Sequence, residues 1–490
     1  VSAVATFGGA AILARLRADP WLRGHLALAL AFVSARVALA VGGLEMDFDV
    51  RWMWLADPAD LREHFWRTLF YFHAYPPGMN ALLGFCLALG GAHAASIATL
   101  AFAGCSLVLA HALLYLGRHL GLSPRLAFGL ALALGLTPPA LFFDHLYLYE
   151  SPVACLLALT AALFHRGLRH GTFRAWFACF LAAACIGFLR TTFHLSWFVA
   201  LVGLAALISP RPRLRTLLAA SAGPALLLAS LYVKNWAVFG IFDAFSHGPG
   251  NFNLVTTRQL PREERLAWIA QGKLSRYAAV DVYAGPHAYL PFFASPNDPA
   301  FPPELSRLER PTVGAPNYNH WFYVKAMPVR KSDALVYLRE RPSAYARTVA
   351  RSFRDFFSPT TRWHPNERSN KVTPHDQHRS VLGRWEELYN TLLHSFPVSP
   401  VGLYALLPLP LGLALRRAFE GRRSKLAPER ERAALLWFLL FQIAFVVAVS
   451  SAFSSQESSR YRYQIEPFLW LLTATALGEA WQKRPRPRSA

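Results

Sequence analysis

The chain has 490 residues, of which 54% are hydrophobic, 14% aromatic and only 16% charged, with a formal net charge of +21. Soluble domains carry roughly a quarter charged residues, so this composition excludes an ordinary soluble enzyme and points to an all-α polytopic membrane protein. The basic excess does not mark a nucleic-acid partner. No recognition motif or basic domain accompanies it, and many basic residues fall in short loops between apolar runs, where the orientation rule for membrane proteins accounts for them.

In chain order, Arg15, Arg17 and Arg23 precede a first apolar run, residues 25–44. The run is long for a signal-peptide core and has no clear cleavage site, so it is expected to remain as the first span. Glu45, Asp47 and Asp49 stand at its mouth. Carboxylates there are costly beside lipid and are functional candidates by default. Residues 45–75 read as an outer loop in which Leu61, Phe65, Leu69 and Phe72 recur at helical spacing opposite Arg62, Glu63 and Arg67. That is the pattern of a helix lying on a membrane surface. The aromatic residues Trp52, Trp54, Phe65, Trp66, Phe70, Tyr71 and Phe72 read mainly as an interfacial belt.

The apolar stretch 76–90 is short for a crossing and is expected to be re-entrant or interfacial. Windows near the ~20 residues a bilayer requires follow at 95–117, 126–143, 148–165, 175–189, 193–208, 216–236, 398–415, 433–453 and 465–481, ten spans in all. If 76–90 does not cross, the basic loops 118–125, 166–174, 211–215, 416–432 and 483–488 all fall on the side of the basic N-terminus, and both termini read as cytoplasmic. The expected organisation is a transmembrane module over 1–235, a mixed outer-face region over 236–397 and C-terminal transmembrane helices over 398–490.

In the outer region, helical signals occur at 261–273 and 332–357. The second carries an apolar stripe, Tyr345, Val349, Phe353 and Phe357, edged by Arg347, Arg351 and Arg354. The five cysteines, Cys86, Cys105, Cys155, Cys179 and Cys185, lie in apolar segments, so neither a disulfide framework nor a thiolate zinc site is indicated. His73, His145 and His194 fall on the expected outer rim, as do Asp144, Glu150, Arg190 and the late Arg460-Tyr461-Arg462.

This arrangement resembles the GT-C class of integral-membrane glycosyltransferases, which includes protein O-mannosyltransferases and aminoarabinose transferases. The resemblance rests on the acids of Glu45-Met46-Asp47-Phe48-Asp49, a surface helix leading to the Pro-Pro turn in residues 73–80, the acid opening a later span in Tyr149-Glu150-Ser151-Pro152, and Arg460-Tyr461-Arg462 with Pro467. It implies outer-face juxtamembrane helices, a polyprenyl-phosphate sugar as donor, and a glycan, lipid or protein as acceptor. A bacterial inner membrane, with the active site on its periplasmic face, is the expected location.

Transfer from a lipid phosphate needs a base for the acceptor hydroxyl, and one carboxylate suffices. It also needs cationic forks for the departing phosphate. Asp47 or Asp49 is the candidate base, and Arg460, Arg462 and Arg190 are candidate phosphate ligands. Glu45, Asp144, Glu150, His73, His145, His194 and Tyr461 are candidate supporting residues of the rim. A divalent cation between Asp47/Asp49 and Glu150 is an open question, since hard cations prefer carboxylate oxygen. The rival reading is a non-catalytic lipid-binding protein or a transporter of lipid-linked or anionic substrates. A transporter would more often show internal repeats and interrupted helices.

Overall fold

The structure, a computed structural model, describes residues 18–44, 46–209, 214–360, 382–395, 401–454 and 457–482. Glu45, Arg15, Arg17, Arg211, Arg213 and the basic residues of 483–488 lie outside the described residues. The described chain is predominantly helical. Its strand content is one short antiparallel pairing of Glu309–Arg310 with Ala315–Pro316.

Among the described residues five helices are long and apolar enough to cross a membrane: Pro20–Val41, the run Gly78–His119, Glu150–His170, Leu214–Phe239 and Ala427–Phe453. Counting the pair Pro124–Gly135 and Pro138–Asp144, bent by 56°, as one span makes six. All ten expected windows overlap helices, but four of those helices fall short of this measure. Phe173–Leu189 and Leu195–Ile208 are apolar but shorter. Pro408–Arg422 has 15 residues, because a 3-10 turn over Gly402–Leu406 takes up part of the expected window. Ser458–Gln482 starts earlier than expected and so draws Arg460, Arg462 and Glu466 into the helix. Hydropathy alone does not register where a polar cap starts a helix. Thr137 accepts from the amide of Ala140 and Thr172 from that of Ala175, and each starts a new helix.

The first helix shows how this protein presents its apolar surface. Asp19 caps it through the amides of Trp21 and Leu22, with Pro20 in the first helical position. Of its side chains only Leu28 and Phe32 are buried. Leu30 is 63% exposed, as are Leu100 at 70% and Leu226 at 72% on other helices. Apolar side chains turned outward on long apolar helices fit a membrane protein whose outer surface meets lipid. The interior core packs Phe102, Leu113, Val153, Leu157, Phe164, Phe180, Leu439 and Leu471, all fully or almost fully buried.

Within Gly78–His119 the path bends. Gly91 adopts φ +52°, and a Cβ on Gly90 would come within 2.9 Å of Ile97, so Gly78–Gly90 is set off from Ala94–His119 by a tight turn. The region that follows Leu214–Phe239 is built on helix Trp321–Glu340. Trp321, Phe322, Tyr323 and Met327 pack there with Phe239, Tyr289 and Leu305 in a small separate core. A second cluster joins Leu260, Trp268, Leu274 and Tyr337. The helix expected over 332–357 is in fact two: Arg341 is non-helical and Pro342 opens a new helix, Pro342–Asp355, as proline does at a first position. The buried face of the second helix is Thr348 and Ser352, followed by Phe356, while Phe353 is exposed. Of the stripe Tyr345, Val349, Phe353 and Phe357, only Phe353 is exposed, while Tyr345 and Phe357 pack against buried clusters.

Candidate functional site

A loop clamped from both sides forms one wall of the site. Asn80 accepts from the amide of Ala56 at 2.7 Å and donates to the carbonyl of Trp54 at 3.1 Å. From the other side Arg310, itself buried, donates to the carbonyls of Val50 at 3.0 Å and Leu55 at 2.9 Å, and also to that of Arg51. Asp57 fastens the same region by accepting from the Thr312 amide at 2.9 Å and hydroxyl at 2.5 Å. Loop residues 50–56 therefore have their backbone polar groups paired with partners distant in sequence, which fixes their shape.

The Pro-Pro turn is set by similar means. Asn319 accepts from the amides of His73 and Ala74 at 2.8 and 3.2 Å, and Lys234 donates to the carbonyl of Phe72 at 2.6 Å. Gly78 is required by close approach: a Cβ there would stand 2.5 Å from the carbonyl oxygen of Phe188. The turn brings Tyr75 to the site, where its ring stacks on His247 with centroids 5.4 Å apart.

Between these walls and the adjoining ends of helices Ala427–Phe453 and Ser458–Gln482 lies a cavity of about 440 Å³. Its charged lining is Asp49, Arg51, Glu457 and Arg460. Its hydroxyl and amide lining includes Tyr75, Tyr149, Tyr283, Tyr318, Asn251 and Ser454. Trp52 and Trp54, stacked on each other with centroids 4.8 Å apart, present an aromatic wall. These two tryptophans belong to the cavity and not to the expected interfacial belt, whereas Trp66, 80% exposed, does lie on the surface. A concave site of this size, with aromatic walls and a few converging polar groups, has the character of a small-molecule site.

Asp49 reaches the cavity from the early acidic motif. Its carboxylate accepts from Arg51 Nε at 2.9 Å and Nη2 at 3.0 Å and from the Arg51 amide at 2.8 Å. These bonds and the Arg51 charge hold its pKa below the ordinary carboxylate value against a counteracting effect of burial. Asp47 does not line the cavity. Its backbone forms a bridge beside Leu146, accepting from Tyr147 and donating to His145. Burial, reinforced by the Asp49 charge, raises its pKa to about 6.

Arg460 reaches the cavity from the helix Ser458–Gln482. Its guanidinium meets Glu457 at 2.9 Å and Glu150 at 3.4 Å, and donates to the Tyr149 hydroxyl at 2.7 Å. Tyr461 also lines the cavity. The other two candidate arginines do not. Arg190, almost fully buried, lies beneath the floor between the rings of Tyr149 at 3.9 Å and Tyr461 at 4.2 Å, with Glu150 at 3.3 Å. Arg462 turns to the opposite side of its helix. There it donates to the carbonyls of Phe356 at 2.7 Å and Ser358 at 2.9 Å and to the Thr360 hydroxyl at 2.5 Å, over the ring of Tyr404. It anchors backbone and is not available to a phosphate.

Of the other expected rim residues that are described, Asp144, Glu150, His73 and His145 are buried and His194 is half-buried. Asp144 accepts from Ser151 at 2.7 Å and pairs with Arg36 and Ser106 inside the bundle. Glu150 is fully buried against the two arginines. His73 meets the Ser246 hydroxyl at 2.8 Å, and burial pushes its pKa far below the usual range. His145 sits on the Leu141 carbonyl at 2.8 Å, and His194 on the Tyr232 hydroxyl at 3.2 Å. His145 and His194 are structural histidines with partners, whereas His73 Nε2 is buried with no hydrogen-bond partner among the described residues. Glu150 faces guanidinium groups and not Asp47 or Asp49, and no group of three His, Cys, Asp or Glu residues placed to hold a metal occurs among the described residues.

Sequence reasoning passed over Glu457, Tyr283, Tyr318 and Asn251. Glu457 had a signal, since it lies one helical turn before Arg460. Tyr283, Tyr318 and Asn251 reach the cavity from the outer region only through its tertiary packing and carry no local signal. Fold and cavity together define a helical membrane protein with a charged, aromatic-walled pocket. The chain matches no known family model, and a search of curated proteins likewise finds no match.

Proposed function

We propose that the protein is a membrane glycosyltransferase that moves a sugar from a polyprenyl-phosphate carrier to an acceptor hydroxyl, at the periplasmic face of a bacterial inner membrane, with both termini cytoplasmic. The single observation that carries this reading is that Asp49, from the start of the chain, and Arg460, from its end, line one cavity. In the proposed step the acceptor oxygen attacks the anomeric carbon from the face opposite the phosphate. The bond from that carbon to the phosphate oxygen breaks, and its electron pair leaves with the polyprenyl phosphate. The acceptor proton passes to a carboxylate, giving inversion at carbon.

Asp49 is the favoured acceptor of that proton by position, and Asp47 by its higher pKa, which lies nearer neutrality. Arg460 supplies the charge that meets the leaving phosphate. The stacked Trp52/Trp54 wall and the ring of tyrosines suit a sugar, whose faces pack on aromatic carbon while its hydroxyls take hydrogen bonds. Arg190 and Glu150 act beneath the floor by holding Tyr149, Tyr461 and Arg460.

The test is purification with native lipid, followed by mass spectrometry for a bound polyprenyl-phosphate sugar and an assay of sugar release. Asp49→Asn and Arg460→Ala are each expected to retain the fold and lose release. Undiminished release in both variants, or bound lipid that never yields sugar with any acceptor, would sink the transferase reading; the second outcome favours a lipid-binding or transport protein.

A further inference from the structure

Helix Pro342–Asp355 presents three different faces. Thr348 and Ser352 are buried, and the Tyr345 hydroxyl donates to the carbonyl of Ala452 at 3.0 Å, so the helix lies across the end of the candidate span Ala427–Phe453. Arg347, Arg351 and Arg354 follow the i, i+4, i+7 spacing that makes one row on a helix. All three are exposed. Among the described residues Arg354 pairs with its neighbour Asp355 at 3.4 Å, and Arg347 and Arg351 make no ion pair. Between the arginine row and the buried face runs an apolar sector in which Ala346 and Ala350 are exposed and Phe353 is 48% exposed.

An apolar sector beside a row of arginines, on a helix packed across the end of a span, is the pattern of a helix seated in a membrane interface. We propose that helix Pro342–Asp355 is a docking site for anionic lipid headgroups, with Phe353 entering the acyl boundary and Arg347, Arg351 and Arg354 meeting headgroup phosphates. Charge complementarity selects this occupant: three cations without strong internal partners match a surface of phosphates. Each arginine beside such a surface favours anionic lipid roughly fivefold. The site is separate from the cavity, so it stands or falls independently of the transferase reading.

The full chain is reconstituted into nanodiscs of phosphatidylglycerol or of phosphatidylcholine, and amide exchange is followed over residues 342–355. Wild type is expected to exchange at least several-fold more slowly in phosphatidylglycerol. Arg347→Gln/Arg351→Gln/Arg354→Gln should lose that difference, while the corresponding triple lysine variant, which retains the charge, should keep most of it. Equal exchange of wild type in the two lipids would overturn the proposal, as would a lipid difference that survives the glutamine substitutions. Inorganic phosphate added to phosphatidylcholine discs should not reproduce the protection; if it does, the row binds a soluble anion and not a membrane surface. Should the glutamine variant fail to fold, the wild-type comparison and the lysine variant still decide the matter.

Discussion

Arg460 and Arg462 stand two residues apart on one helix and live in different surroundings. The first meets carboxylates and a tyrosine hydroxyl at the edge of a cavity; the second is sealed in a socket of backbone carbonyls beneath Tyr404. A helix turns about 100° per residue, so positions i and i+2 point to nearly opposite sides. A pair of arginines in a motif is thus two separate devices, one that can serve a ligand and one that ties segment 356–360 to the bundle. Chemistry was assigned to the pair, but only the geometry divides it.

The largest expected effect comes from the socket. Arg462→Ala strands the Phe356 and Ser358 carbonyls and removes a cation from beside the buried Glu466, which lies 3.9 Å away. Breaking a buried charged arrangement by removing one partner costs about 3–5 kcal/mol. A large fall in thermal midpoint in detergent is the expected reading, and an unchanged midpoint would break the contrast. Arg460→Ala should act on chemistry instead, with sugar release lowered by about 10²–10³-fold, as for loss of one charge-stabilising donor, and with a smaller change in midpoint.

Next in size is the division of labour between the two aspartates, read from the pH profile of release. Dependence on Asp47 places the acid limb near pH 6, whereas dependence on Asp49 places it below the ordinary carboxylate value of 3.8. Asp47 also has a stability signature. Because its pKa is raised in the folded chain, its contribution is fully present below the ordinary value and is lost as the pH rises through about 6. Asp47→Asn should therefore flatten stability across that window, as measured by chemical denaturation at a series of pH values.

The smallest expected effect is on the aromatic wall. Trp52→Leu removes one member of the stacked pair, an arrangement worth about 0.5–1.5 kcal/mol beyond area. Several-fold weaker binding of the sugar-bearing lipid, with binding of the sugar-free lipid phosphate unchanged, would assign the wall to the sugar. Equal weakening of both would assign it to the phosphate or the tail.

Much of this was legible in the sequence, and the part that was not has a common cause. Apolar periodicity located every window that became a helix, since burial of side chains in lipid or core leaves a direct mark on composition. Among the described residues five helices, or six with the bent pair, are long and apolar enough to cross, and the cap at Thr137 and the 3-10 turn at Gly402–Leu406 interrupt or shorten helices without changing mean hydropathy. In the site, Asp49 and Arg460, expected to serve one pocket, both line the cavity, while Arg190, Arg462, Asp144, His73 and His145 were assigned to the rim and are interior. Their position along the chain was informative, but the direction in which each side chain points depends on packing. The stripe over 345–357 follows the same rule: spacing reveals that it exists, not that Phe353 is the member that faces outward.

The bonds from Arg310 to the loop at 50–55 carry a consequence for biogenesis. They join residues separated by as many as 260 positions, and the last wall of the pocket arrives later still, with Arg460. A nascent chain halted before position 310 would leave the carbonyls of Val50, Arg51 and Leu55 without the partner that shapes them, so Asp49 would dangle from an unformed loop. Ligand-binding competence should accordingly emerge only after Arg460 has been made and has reached the pocket.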